Sequence, residues 1–377
     1  MKSFHIDMVN LLSQHKKLEQ PILAAIRRVI DSSSFIKGDE VAIFEKNLSG
    51  ILSVREVIGC ANGTDALQIA LMALNLAPGD EVIIPAFTYV ATAEVIALLG
   101  LRPVMVDADE NTFNISIPGI AAAITPRTRA IIPVHLFGQC ADMEPLMKLA
   151  EEHHLYVIED NAQSLGASYT FKDGHSGMAG TIGHIGCTSF FPTKNLGCMG
   201  DGGALMTGDP ALAGKLRMIA SHGQIKKYYH EVVGCNSRLD TMQAAILNVK
   251  LPHLGEYLEA RKNAAAFYSD GLRDFEYGTI PGSLPSSPPT WNQYTLKIKN
   301  GLRDQLKEYL AQNGIPSMIY YPLPLYKQKA FSKFVPDGFS LPVTEKLCRS
   351  VLSLPVHTEM TIPELEYIVH ILLEFNP

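Results

Sequence analysis

From about residue 55 to residue 207, short unbroken apolar runs alternate with longer stretches whose apolar positions recur at helical spacing. The runs 54–58, 81–85, 103–107, 130–134, 155–159, 187–191 and 203–207 are rich in Val, Ile, Leu and Ala, with little polar alternation. That is the pattern of strands covered on both faces. Between them, 65–74, 89–99, 118–124 and 142–153 predict helices, punctuated by Pro78-Gly79-Asp80 and Gly100. The rhythm predicts an α/β fold built on a mostly parallel sheet. A further helix is expected near 210–221, followed by an irregular Gly/Tyr/His stretch. A long helical region then runs from Thr241 past Tyr268, broken at Pro252. It links a large domain, 1–250, to a smaller α/β domain, 251–377, in which 291–298, 302–312 and 361–373 carry the pattern beyond a Pro/Ser-rich loop at 281–289.

Composition narrows the function. The 377 residues suit two or three domains of about 150 residues each. With 47% hydrophobic and 19% charged residues, neither a disordered nor a fibrous chain fits. The apolar stretch 69–74 ends at Asn75, far short of the roughly 18 residues a membrane span needs. A net charge of −6 without a Lys/Arg block argues against nucleic acid as a partner. Met1 to Asp7 shows neither the apolar core nor the cleavage site of a signal peptide, so a cytoplasmic enzyme is expected. The six cysteines are widely spaced without a C-x-x-C pair, which argues against a disulfide framework or a zinc site. No metal is expected.

In open α/β sheets, ligands bind beyond the carboxyl ends of the strands, and three of those positions carry chemistry. After the first strand, Asn62-Gly63-Thr64-Asp65 opens a helix whose free N–H groups make an anion site, although the same sequence is an ordinary capping turn. After the fifth, Asp160 ends a buried strand and needs a cation or several donors; a structural ion pair would also serve. After the sixth, Lys194 stands alone in an apolar, glycine-rich stretch, where burial makes an amine nucleophilic and where a snorkelling surface lysine is the alternative. A phosphate anchor, a buried carboxylate and an active lysine together meet the needs of pyridoxal phosphate.

Five motifs extend this reading: 61–67, 85–92, 159–163, 189–194 and 234–240 (Gly-Cys-Asn-Ser-Arg-Leu-Asp). In order and approximate spacing they resemble the DegT/StrS family of pyridoxal-phosphate-dependent nucleotide-sugar aminotransferases, over nearly the whole chain. The resemblance implies a type I, aspartate-aminotransferase-like fold and pyridoxamine phosphate as the intermediate cofactor form. It implies that Lys194 bonds the cofactor aldehyde and later carries the proton, and that Asp160 pairs with the pyridine nitrogen. Gln163 would reach the 3-hydroxyl and Tyr89 would cover the ring. Gly63, Thr64 and Ser189 would hold the phosphate with Asn236 of a second subunit, which implies a homodimer with shared active sites. Judged alone, an aromatic such as Tyr89 opening a helix is more often plain core, and Asn236 reads equally as a turn residue.

The resemblance further implies a nucleotide-linked keto-sugar acceptor and an amino-acid donor, usually L-glutamate. Segments 60–71, 87–94, 125–134, 138–142 and 237–246 look most like enzymes aminating the 3-oxo carbon of a UDP-linked 2-acetamido-2-deoxyglucuronate in O-antigen and lipopolysaccharide synthesis. Arg238 would grip the uronate carboxylate, unless it only pairs with Asp240. Tyr320 and Tyr321 match a substrate-side motif, with Tyr320 standing where those enzymes often carry histidine. A dTDP-linked 3-oxo-6-deoxyhexose and a 4-oxo sugar are therefore alternative acceptors. Of the other reactions on this fold, sugar dehydratases typically place histidine at the lysine position, and a non-catalytic regulator would be expected to lose part of the constellation; Lys194 favours transamination over both.

Overall fold

The computed structural model describes residues 6–377; of the opening segment read for a leader, residues 1–5 lie outside the described residues. Seven strands form the large sheet: β1 Glu56–Cys60, β2 Glu81–Pro85, β3 Arg102–Val106, β4 Thr128–Ile131, β5 Tyr156–Asp160, β6 Ile185–Ser189 and β7 Gly203–Thr207. Their spatial order is β1-β7-β6-β5-β4-β2-β3. From β6 to β3 every neighbour is parallel, whereas β7 runs antiparallel to both β1 and β6. Parallel neighbours need a crossover long enough for a helix, and the chain between β6 and β7 contains none, so it returns antiparallel.

The apolar runs divide between two faces because successive side chains of a strand point opposite ways. Ile58, Ile84, Ala130, Ile158 and Leu205 join one core with the helices Gly63–Ala73, Ala91–Leu98 and Pro210–Ile219. Their strand neighbours Ile83, Ile131 and Val157 pack on the opposite face with the helix Met143–Glu152, and Val57, Ala204 and Met206 pack there with Asp39–Leu52 and Thr241–Lys250. The long helical region breaks where Pro252 predicts, into Thr241–Lys250, a 3-10 turn Leu251–His253 and Leu254–Gly271. A separate core of Tyr268, Tyr294, Leu306, Leu352 and Ile368 joins the rest of that last helix to the antiparallel strands Gly278–Thr279, Tyr294–Ile298 and Val351–Leu354 and the helix Ile362–Leu373. No helix among the described residues is long and apolar enough to cross a membrane.

Two departures from the sequence reading have physical causes. The first strand starts later than expected because Val54 is used up in ending a helix. Ser53 takes the left-handed conformation, the Val54 amide bonds the Ser49 carbonyl at 3.2 Å, and the Val54 side chain packs with Leu48 and Leu52. The helices Leu11–Lys17, Glu19–Ser32 and Asp39–Leu52 were not anticipated. In Glu19–Ser32, Ile22, Ala25 and Val29 are buried while Leu23 and Ile30 are exposed, so apolar residues lie on both sides and blur the helical period.

Candidate active site

The carboxyl ends of β1 and β6 meet the start of β7, since Gly203 is paired with both Cys60 and Ser189. Beyond β1, Asn62 caps the helix Gly63–Ala73, its side-chain oxygen accepting from the Asp65 amide at 2.8 Å. The Gly63 and Thr64 amides, first in that helix, find no acceptor among the described residues. The backbone here is held at a distance only glycine allows. A Cβ on Gly203 would lie 2.5 Å from the Asn62 carbonyl group, and one on Gly63 would lie 2.8 Å from the Ser189 Cβ. The result is a cradle with free N–H groups and the Ser189 hydroxyl at its rim, suited to a phosphate dianion.

At the end of β5, two adjacent buried carboxylates are treated differently. Glu159 accepts from His135 Nε2 at 2.8 Å and from the amides of Gly180, Ile182 and Gly183 at 2.6–2.9 Å. The Ala141 amide donates to His135 Nδ1, which leaves the ring proton on Nε2, directed at Glu159. Among the described residues, the Asp160 carboxylate, 6% exposed, receives only the Thr92 hydroxyl at 2.9 Å and the Ala162 amide at 3.2 Å. Burial pushes its pKa above the usual carboxylate value, against the pull of Thr92, Ala162, Lys194 and His135. A carboxylate this poorly compensated is suited to a cation that a ligand would bring.

Lys194 follows β6 in a turn closed by its own amide on Phe191 O (2.9 Å) and by the Cys198 amide on Phe190 O (2.8 Å). Burial lowers its pKa from 10.5 to about 8; the Asp160 charge opposes this shift and the Arg261 guanidinium adds to it. At neutral pH such a lysine presents a far larger share of free amine than an exposed one. Gln163 lies beside this pair, its Oε1 accepting from the Phe137 amide at 2.8 Å and its Nε2 donating to the Tyr321 hydroxyl at 3.1 Å. Tyr321 is half-buried, and burial raises its pKa. Its ring lies 6.2 Å from that of Tyr89, which is 57% exposed in the turn before Ala91–Leu98 and so is no core residue. Tyr320 is half-buried beside it, the two rings 5.9 Å apart.

The chain thus brings Gly63, Thr64 and Ser189 together at the cradle, Asp160 within the field of Lys194, and Gln163, Tyr321 and Tyr89 along one side. Asn236 is exposed and pairs through its backbone with Ser221, while the next residue, Ser237, anchors the segment by accepting from the Ala61 amide at 3.1 Å. Arg238 lines a separate cavity of about 250 Å³ with Lys37, Glu45 and Arg217, and it makes no ion pair with Asp240 among the described residues. Sequence reasoning missed Thr92, Arg261 and Lys250. Thr92 stands in a quoted motif, yet nothing local marks it as a partner of Asp160.

A family model, the DegT/DnrJ/EryC1/StrS aminotransferase family, matches residues 16–373. The chain belongs to that family. Members similar to it include the UDP-2-acetamido-2-deoxy-3-oxo-D-glucuronate aminotransferase of Pseudomonas aeruginosa, 46% identical over 93% of this chain and 95% of the relative. The UDP-N-acetyl-3-dehydro-alpha-D-glucosamine 3-aminotransferase of Acidithiobacillus ferrooxidans is 44% identical over 94% of each chain. A pleiotropic regulatory protein of Geobacillus stearothermophilus is 44% identical over 98% of each. Among solved structures, S. venezuelae DesV in complex with a ketimine intermediate superposes with a TM-score of 0.93 at 38% identity, covering 98% of each chain. NtdA from Bacillus subtilis with bound cofactor PMP superposes at 0.87 and 31%, covering 97% of this chain and 82% of that one. This DegT/StrS member has the type I fold and is a pyridoxal-phosphate-dependent aminotransferase.

Proposed function

We propose that this aminotransferase moves the amino group of an amino acid, L-glutamate, to the 3-oxo carbon of a UDP-linked 2-acetamido sugar, with the 3-oxo-glucuronate as the preferred acceptor. The observation that carries the chemistry is Lys194, an amine with a pKa of about 8, within the field of a carboxylate short of donors. The names of the Pseudomonas and Acidithiobacillus relatives support the nucleotide and the 3-position. When bound, pyridoxal phosphate supplies an aldehyde and an electron sink. Gly63, Thr64 and Ser189 would hold its phosphate, and Asp160 would face the ring nitrogen. Gln163, fixed between Phe137 and Tyr321, would reach the ring hydroxyl, and Tyr89 would cover the ring. Lys194 would supply the amine for the aldehyde and act as general base and then acid at the substrate carbon.

Asn236 and Arg238 act on the site of a second subunit, with Tyr320 and Tyr321 on the sugar side. The exposed apolar residues Phe35, Ile36, Phe191, Tyr228 and Val233 support a homodimer. We place the enzyme in the cytoplasm, in surface-polysaccharide synthesis. The test is borohydride reduction in the presence of UDP- and dTDP-linked amino sugars, which would fix the sugar amine to the cofactor and leave Lys194 free, followed by mass spectrometry of the pyridoxyl–sugar product released on denaturation. A UDP-linked 3-amino sugar is expected, and capture of the dTDP sugars alone overturns the acceptor assignment. Lys194→Ala is expected to lose the yellow absorbance and turnover together; half the wild-type rate in that variant refutes the role of Lys194. The name of the Geobacillus relative favours regulation as the second reading, under which wild-type protein shows no turnover with any of these sugars.

A further inference from the structure

Arg261 lies on the helix Leu254–Gly271 and is 3% exposed. Among the described residues its guanidinium donates only to backbone carbonyls: Val356 at 2.9 Å, Trp291 and Asn292 at 3.4 Å, and Thr193 at 3.5 Å. Its Nε is buried without an acceptor, and no carboxylate lies within ion-pair distance among the described residues. A buried guanidinium without a counter-ion is costly, and an apolar side chain of similar size would pack there at less expense. Stability therefore does not explain it.

What it touches does. Thr193 immediately precedes Lys194, Trp291 and Asn292 precede the strand Tyr294–Ile298, and Val356 follows the strand Val351–Leu354. We propose that Arg261 is a positioning residue for Lys194, gripping the carbonyl in front of the lysine while anchored to the two segments that lead into and out of the small sheet. The inference rests on Lys194 being the reactive amine. The charged groups that face Lys194 are Asp160, from β5, and Arg261; His357 also faces Arg261. Burial disfavours the ammonium most and Asp160 opposes it, while the Arg261 guanidinium is a positive charge that adds to the effect of burial.

The test is competitive acylation of the full-length apoprotein with acetic anhydride across pH 6–11. Peptide mass spectrometry would compare Lys194 with the exposed Lys148 and Lys262. In the wild type the Lys194 midpoint is expected near 8. Arg261→Gln and Arg261→Met remove the charge. In each, the midpoint is expected to rise by about one pH unit, with a roughly tenfold slower acylation at pH 7. An unchanged midpoint in either variant, with native circular dichroism, overturns the electrostatic half. Arg261→Lys keeps the charge but cannot span four carbonyls. There the midpoint should hold while kcat falls about tenfold at constant KM, and an unchanged kcat overturns the grip. This readout is separable from the assignment of Lys194 itself, which fails only if Lys194→Ala turns over.

Discussion

Lys250 is 1% exposed and donates to the Gly197 carbonyl, on the far side of the Lys194 turn, with no carboxylate partner among the described residues. Burial holds its pKa near 8 instead of 10.5, with Cys198 opposing. Because the folded value lies below the unfolded one, the unfolded chain keeps a proton between pH 8 and 10.5 that the folded protein has lost. Raising the pH through that window therefore favours folding. At 1.36 kcal/mol per pH unit, the buried ammonium costs about 3 kcal/mol at pH 7, and about 2 kcal/mol of this is relieved by pH 9.5. Lys250→Met removes that cost and fills a similar volume, but leaves the Gly197 carbonyl unpaired, a loss of about 1–3 kcal/mol. The variant is expected to match the wild type at pH 7 and to fall behind it by about 2 kcal/mol more at pH 9.5. The neighbouring His15 titrates below this window, and Cys198, raised by burial from 9 to about 11, contributes within its upper part in both proteins and so cancels from their difference. Urea unfolding followed through the single tryptophan, at equal protomer concentration and several pH values, measures it. A gap between the two proteins that stays constant with pH would falsify the linkage.

Other perturbations separate fold from function. Burial raises the pKa of Asp160, so its contribution to stability is present below the usual carboxylate value and is lost as pH rises through the folded one. Apo Asp160→Asn should therefore melt above the wild type at pH 7, with the advantage shrinking at pH 4. Its transamination should fall by at least about a hundredfold; a variant that melts lower and retains activity contradicts both the burial cost and the role. Gly203→Ala drives a Cβ into the Asn62 carbonyl, which is backbone and cannot swing away. Its cofactor Kd, read by absorbance titration, should weaken by more than about tenfold. Gly63→Ala drives a Cβ to 2.8 Å from the Ser189 Cβ, which the backbone fixes, and should weaken it as well; equal affinity in all three proteins would count against the cradle.

The parts of the molecule legible in its sequence are those whose causes are local. The runs around Ile83 and Val157 had to be buried strands, and a proline at 252 had to interrupt a helix. Reactive side chains just past a strand end pointed to Asp160 and Lys194 for the same reason. The reversed direction of β7 was implicit in the missing crossover, yet it becomes consequential only when Gly203 is seen between Cys60 and Ser189. Thr92, Lys250 and Arg261 could not be found this way, because each acts on a group distant in the chain. A threonine at a helix start, a lysine ending a helix and an arginine in a polar helix look ordinary until packing sets them beside Asp160, Gly197 and Thr193.

The grip on Thr193 also has a direction in time. Translation proceeds from the amino end, so the ribosome releases the lysine turn before Arg261, and Arg261 before the Trp291, Asn292 and Val356 carbonyls that anchor it. A nascent chain therefore carries Lys194 through a period when only its local turn holds it, before Arg261 and its anchors are made. Premature termination between Asn292 and Val356 leaves a polypeptide that contains Gly63, Thr64, Ser189 and Asn236 but lacks the Val356 carbonyl that Arg261 bonds at 2.9 Å.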